Sequence, residues 1–272
     1  MFDAIFSISL FSILFIAIAT FSIKNFLNGR DSYERVETQG SSALVSKSFM
    51  EMGYWLFIPV ADFFIKREIT PNQISLISLG FGLLAGIAVA FGLFGIAATF
   101  FLISTMLDVV DGRVAKETNN MNPTGIILDS SIDRYVDFFF LAGLVFLYKD
   151  SSLLIFITLL AILGSFMVSY STAKAEAMHV TPPRGSMKRS DRLIYLIFGA
   201  CFSSLSVAFL DMDSGTGYPM VLVLCIIAIL ANYSAVQRLM NVAEQLEERE
   251  TGKRKTVEEP AQTEEPELSN KA

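Results

Sequence analysis

Apolar residues in this chain come in long, nearly uncharged runs separated by short polar breaks. Seven such runs are each about as long as a helix crossing a bilayer, ~20 residues. They fall at roughly 4–23, 72–93, 96–116, 125–148, 152–176, 192–210 and 218–240. Backbone amides in lipid must bond within their own segment, so the runs predict helices rather than strands. Residues 69–107 carry no formal charge, too long a stretch for one helix, and "AFGLFGIAA" around Gly92 and Gly95 supplies a hairpin turn. Gly82 and Gly86 form a small-xxx-small pair of the kind that packs helices together.

Composition agrees with the pattern. Of 272 residues, 53% are hydrophobic and 18% charged, with a mean hydropathy of +0.52, which excludes an ordinary soluble domain. The predicted organisation is an N-terminal transmembrane anchor at 1–24 and a cytoplasmic linker at 25–48. An interfacial amphipathic helix at 49–67 follows, then a six-helix transmembrane domain at 68–242 and a disordered charged tail at 243–272. The first run has no basic stretch before it and no clear small-residue cleavage site, so it reads as a retained anchor. Segment 49–66 mixes aromatics with a few charges, which suits the membrane interface. The tail is rich in Glu, Lys, Thr and Pro, poor in apolar groups, and contributes much of the net charge of −6. Cys201 and Cys225 lie inside predicted helices without metal-like spacing and read as packing residues.

Basic residues accumulate on the cytoplasmic side of membrane proteins. They fall in 24–67 (Lys24, Arg30, Arg35, Lys47, Lys66, Arg67), around the third turn (Arg113, Lys116, Arg134) and in the later loop (Lys174, Arg184, Lys188, Arg189, Arg192). The opposite loops hold one, Lys149, of 21. The N-terminus is therefore expected outside and the C-terminus inside, in the plasma membrane of a prokaryote.

One stretch breaks the apolar logic. "LDVVDGRVAKETNNMNPTGIILDSSIDRYVD", residues 107–137, sets Asp108, Asp111, Asp129 and Asp133 at the cytoplasmic edge of two runs. A carboxylate there is costly and marks a metal, a cation or an aqueous cavity. Asp108 and Asp111 share a helix face, continued by Gly112 and Ala115. On the next helix Gly125, Asp129, Asp133 and Asp137 repeat every four residues and form a second stripe. The short turn brings both faces together, and the small residues leave room for a bulky ligand. All-oxygen donors suit Mg²⁺ or Mn²⁺. Two such ions ~4 Å apart are the usual clamp for displacement at phosphorus. The bland alternative is a salt-bridge network of these aspartates with Arg113, Lys116 and Arg134.

These residues resemble the signature D-x2-D-G-x2-A-R-x8-G-x3-D-x3-D of the CDP-alcohol phosphatidyltransferases. Every spacing is kept, and Lys116 stands where the family has Arg. The resemblance runs from about 65 to 242 and implies an all-α, polytopic six-helix core, to which this chain adds the N-terminal helix and the interfacial helix. It implies that Asp108, Asp111, Asp129 and Asp133 bind two divalent ions that hold the pyrophosphate of CDP-diacylglycerol, with Asp133 also the general base. "TPNQIS" at 70–75 resembles the family's opening of the first core helix. Thr70 would cap that helix, with Pro71 as its first residue. The resemblance adds Asn72, Ser75, Gly112, Ala115, Lys116, Asn122 and Gly125 as groups around the CDP-alcohol.

The acceptor is marked less sharply. "SYSTAKAEAMHV" (169–180) and "GSMKRSDRLI" (185–194) resemble the branch that makes phosphatidylinositol or its phosphate, whose basic residues grip an acceptor phosphate. This implies acceptor contacts from Lys174, Arg189, Arg192 and Arg134. Thr172 stands where a basic residue is usual, and Lys188 where Glu is. "VQRL" at 236–239 places Arg238 at the membrane edge, and His179 reads as a loop residue. The expected reaction transfers a phosphatidyl group to glycerol 3-phosphate or an inositol phosphate and releases CMP, with inositol, serine or choline as alternative acceptors. The expected partners are CDP-diacylglycerol, the small alcohol and the bilayer, with a homodimer allowed and no nucleic acid. A cation transporter is the competing class, since intramembrane carboxylates also line ion paths. It accounts for neither the small residues nor the single copy of the aspartate pattern.

Overall fold

The computed structural model describes residues 1–28, 47–120, 122–181, 185–210 and 215–258. Among them are eight helices and no strand: α1 (Phe2–Asn28), α2 (Lys47–Lys66), α3 (Pro71–Ala90), α4 (Phe94–Glu117), α5 (Pro123–Leu147), α6 (Ser152–Ala177), α7 (Arg189–Phe209) and α8 (Tyr218–Glu258). The expected all-helical fold is therefore found.

Local chemistry sets the helix ends. Thr70 accepts a bond from Gln73 N while the Gln73 side chain accepts from Thr70 N at 2.9 Å, a reciprocal cap completed by Pro71. Asn122 accepts from Gly125 N at 2.6 Å and starts α5. The hairpin between α3 and α4 turns at Gly92, whose φ of +73° suits a residue without a Cβ. Helix α4 has no cap from its own sequence. Asp3 of α1 supplies one, accepting from Gly95 N at 2.8 Å, Ile96 N at 2.9 Å and the Ser204 hydroxyl of α7 at 2.6 Å. A carboxylate there meets the positive end of the helix dipole.

Packing follows membrane rules. Small and hydroxylated residues such as Ser78, Ser104, Ser171 and Ser203 are buried, while Leu76, Leu83, Ile87 and Leu159 face outward. Helices α3 and α5 approach most closely at glycines. A Cβ on Gly82 would sit 2.8 Å from Val136, and one on Gly86 would meet the backbone of Phe139. The small-xxx-small pair is thus a packing surface. Phe101 and Phe140 pack their rings 4.5 Å apart, tilted by 36°, in the main core. Helix α1 lies against α7 through Phe11, whose ring is 5.5 Å from that of Phe202, and against α2 through Phe21 and Trp55 at 5.8 Å.

By length and composition seven of the described helices could cross a membrane. They are not the seven runs expected. Helix α5 is left out because Asp129, Asp133, Arg134 and Asp137 make it too charged, and α2, expected at the interface, takes its place. The last helix continues to Glu258, so the helix end expected to run into the 243–272 segment extends that far. Residues 29–46 of the expected linker and 259–272 of the tail lie outside the described residues.

Candidate active site

The α4–α5 turn brings two acidic stripes together. Ligand oxygens of Asp108, Asp129 and Asp133 all lie within 4.8 Å of one another, and all three residues are half-buried. Asp111 points slightly aside: it is buried and accepts a hydrogen bond from the Ser75 hydroxyl of α3. Three of the four aspartates therefore form the tight group, and the fourth is held by the neighbouring helix.

Asp111 and Asp129 form one wall of a cavity of about 380 Å³. Asn72 and Ser75 of α3 line it, as do Gly112, Ala115 and Lys116 of α4 and Asn122 and Gly125 at the start of α5. Every residue grouped with the CDP-alcohol in the sequence thus meets in one cavity. Asn120, which sequence reasoning passed over, also lines it. It sits in the turn just after Asn119, whose φ of +52° marks a left-handed turn position, and a polar residue in so short a turn could have been flagged.

Two of the cations that a surface salt-bridge network would set against the aspartates turn elsewhere. Arg113 bonds Glu117 at 2.6 Å, one turn along its own helix. Arg134 donates to the Ser130 carbonyl and lines a separate cavity with Ser131, Tyr135, Phe138 and Phe166. The structure thus places it apart from Arg189 and Arg192, with which the sequence grouped it. Adjacent to Asp133 in sequence, it is rotated by ~100° and leaves the acidic face. Lys174 is exposed on the last turn of α6 and is likewise not among the residues lining the Asp111–Asp129 cavity.

The cation that meets the aspartate group itself is Arg189, at the start of α7. Its guanidinium lies 2.8 Å from Asp133, 3.1 Å from Asp108 and 3.5 Å from Asp137. One turn on, Arg192 is only 2% exposed and bonds Asp137 at 3.3 Å. Asp137, seen in the sequence as the last member of the α5 stripe but given no role, anchors both arginines. Arg238 of α8 is also buried, donating to Thr172 at 2.7 Å and to the Met187 carbonyl at 3.3 Å. Nη1 of Arg192 and Nε of Arg238 are buried with no hydrogen-bond partner among the described residues. Buried donors of this kind usually await a ligand or water.

The donor set fits a hard divalent ion. Asp108, Asp129 and Asp133 offer carboxylate oxygens and no sulfur or imidazole, the preference of Mg²⁺ or Mn²⁺ rather than Zn²⁺. Fold and site together define a membrane-embedded phosphotransfer protein. The CDP-alcohol phosphatidyltransferase family model matches residues 68–243, and the chain belongs to that family of enzymes.

Phosphatidylinositol phosphate synthase of Corynebacterium glutamicum is 30% identical over 189 residues, covering 67% of this chain and 81% of that protein. The bifunctional IPC transferase and DIPP synthase of Archaeoglobus fulgidus is 31% identical over 151 residues, 53% of this chain. The chain spans only 30% of that larger relative. Among solved structures, Mycobacterium tuberculosis phosphatidylinositol phosphate synthase with manganese and citrate superposes with a TM-score of 0.61 at 23% identity, covering 68% of this chain and 88% of that one. The same enzyme with CDP-DAG bound gives 0.60. At that identity the likeness establishes the fold.

Proposed function

We propose that this protein transfers the phosphatidyl group of CDP-diacylglycerol to a hydroxyl of a small phosphorylated polyol, glycerol 3-phosphate or an inositol phosphate, and releases CMP. The observation that carries the reading is the adjacency of two unlike sites. A carboxylate group of Asp108, Asp129 and Asp133 borders a polar cavity on one side, and on the other lie buried guanidinium groups with unmet donors.

In this reading Asn72, Ser75, Lys116 and Asn122 receive the nucleotide, and Gly112 and Gly125 leave room for it. Asp108, Asp111, Asp129 and Asp133 would hold two divalent ions, Mg²⁺ or Mn²⁺. Bound there, such ions neutralise the pyrophosphate and stabilise charge on departing CMP. Asp133 takes the proton of the acceptor hydroxyl as it attacks the β-phosphorus. Its bond to Arg189 puts the base beside the arginines assigned to the acceptor's phosphate, so hydroxyl and phosphate of one small molecule can be met together. Arg192 and Arg238 contribute charge-assisted bonds to that phosphate. Lys116 keeps the positive charge of the family's arginine without its planar fork. The site opens to the cytoplasm of a prokaryotic cell, where nucleotide and acceptor are dissolved, while the acyl chains of the donor stay in the bilayer.

Purified protein given CDP-diacylglycerol, Mn²⁺ and a panel of acceptors tests the assignment by CMP release. Glycerol 3-phosphate or an inositol phosphate should be the best acceptor. Preference for inositol, serine or choline would remove the phosphate from the reading. Failure of every acceptor at any divalent-ion concentration would remove the reaction.

A further inference from the structure

Helix α8 has 41 residues, about 60 Å at ~1.5 Å per residue, twice the ~30 Å of hydrocarbon it has to cross. Its outer part therefore stands beyond the bilayer. Ser234, Gln237, Arg238, Gln245 and Arg249 recur at spacings of three, four and seven, which is one stripe along the helix. The whole stripe bonds to the connection between α6 and α7. Ser234 Oγ accepts from Met187 N at 3.3 Å, Gln237 accepts from the Ser186 hydroxyl at 3.1 Å, and Arg238 donates to Met187 O. Further out, Gln245 donates to Thr181 O at 3.4 Å. Arg249 donates to Met178 O at 3.4 Å and to His179 O at 2.5 Å.

We propose that this outer part of α8 is a clamp on the α6–α7 connection, and that Gln245 and Arg249 are positioning residues for Arg189. The proposal rests on the assignment of Arg189 to the acceptor. Both clamp residues lie past residue 243, where the family match ends. What they hold needs holding. His179 adopts a φ of +54°, costly for a residue with a Cβ. The carbonyls of Met178 and His179 stand at the negative end of the α6 dipole, where a guanidinium is favoured. Val180 and Met187 are both buried, which seats the two ends of the connection. Lys188 N then bonds Asp191 at 2.9 Å, and α7 begins with Arg189 turned onto Asp108 and Asp133. With its start released, the connection would let Arg189 sample other orientations.

The test uses the full chain in lipid nanodiscs, with hydrogen exchange at 178–181 and 185–192 and kinetics for both substrates. Arg249→Ala should speed exchange in both stretches and raise the acceptor KM about fivefold, the factor for ~1 kcal/mol. The KM for CDP-diacylglycerol and kcat at saturation should stay within twofold. Arg249→Lys, which can still donate to the same carbonyls, should restore most of the acceptor KM. Gln245→Ala combined with Arg249→Ala should exceed either alone. Unchanged exchange at 185–192, or equal changes in both KM values, would overturn the clamp. Arg189→Ala serves as the control: if it leaves the acceptor KM unchanged, the acceptor assignment of Arg189 fails, while the exchange data still decide whether α8 fixes the start of α7.

Discussion

Replacing Asp137 by Asn strands the most deeply buried cation among the described residues. Arg192 is 2% exposed, and its bond to Asp137 is 3.3 Å long. At that separation the attraction is about 5 kcal/mol for an effective dielectric of about 20. Asn keeps an oxygen for the guanidinium but not the charge. Removing one member of a buried pair typically costs ~3–5 kcal/mol, and the retained acceptor places this case near ~3 kcal/mol. That is more than a hundredfold in the folding equilibrium. The assay follows reaction of Cys201, itself 2% exposed, with a thiol dye as SDS is titrated into mixed micelles, in a Cys225→Ser background. Asp137→Leu combined with Arg192→Met removes both charges, and such paired replacements are often neutral or stabilising. The double variant should regain most of the lost stability and yet fail to use a phosphorylated acceptor. A loss below about 1 kcal/mol for Asp137→Asn, or a double variant no more stable than the single one, would refute the pairing argument.

Three other outcomes are expected. Asp129→Asn should abolish CMP release and weaken divalent-ion binding by more than the ~10–100-fold typical of an outer-shell loss; substantial turnover at ordinary Mg²⁺ would sink the two-ion assignment. Gly86→Val should destabilise the α3–α5 contact by at least ~1–3 kcal/mol through overpacking against the Phe139 backbone, and wild-type stability in the same titration would contradict that close approach. A cysteine at Thr118 should react with an impermeant thiol reagent only from the cytoplasmic side and one at Ser151 only from outside, the reverse labelling overturning the orientation.

What the sequence made legible was local. Thr70, Asn122 and the Gly92 turn announce themselves within a few residues, and the aspartate stripes need only helical spacing. The cavity beside Asp111 and Asp129 could be foreseen because all its elements lie on three consecutive helices joined by short turns. Arg134 was within reach of the same arithmetic: with Ser131 and Phe138 it forms a stripe of its own, distinct from that of Asp129, Asp133 and Asp137. The pairing of Asp137 with Arg192 was not legible, because the partners are 55 positions apart and α7 carries a second arginine, Arg189, that could have filled the place. Nor was the cap on α4, whose accepting carboxylate, Asp3, lies 92 positions before Gly95. For α2, Glu51 and Pro59 pull toward an interfacial reading, while its average apolarity still suffices to span.

The carboxylate of Asp3 has a bearing on the order in which the molecule is assembled. Chains emerge from the ribosome starting at the N-terminus, and early segments begin to settle before later ones exist. Helix α1 reaches the bilayer ahead of every partner it will bond. Two of the three donors to Asp3 arrive with α4, and the third, Ser204, only after most of the chain has been made. Until then the charge has to stay hydrated at the membrane surface, which favours keeping that end of α1 at the headgroups rather than letting it slide inward. When α7 docks, the same carboxylate becomes shared by three helices, so the completed node marks the arrival of α7 against α1 and α4. A chain arrested before residue 204 would carry α1 as a loosely held passenger, open to exchange with other helices and a natural target for quality control.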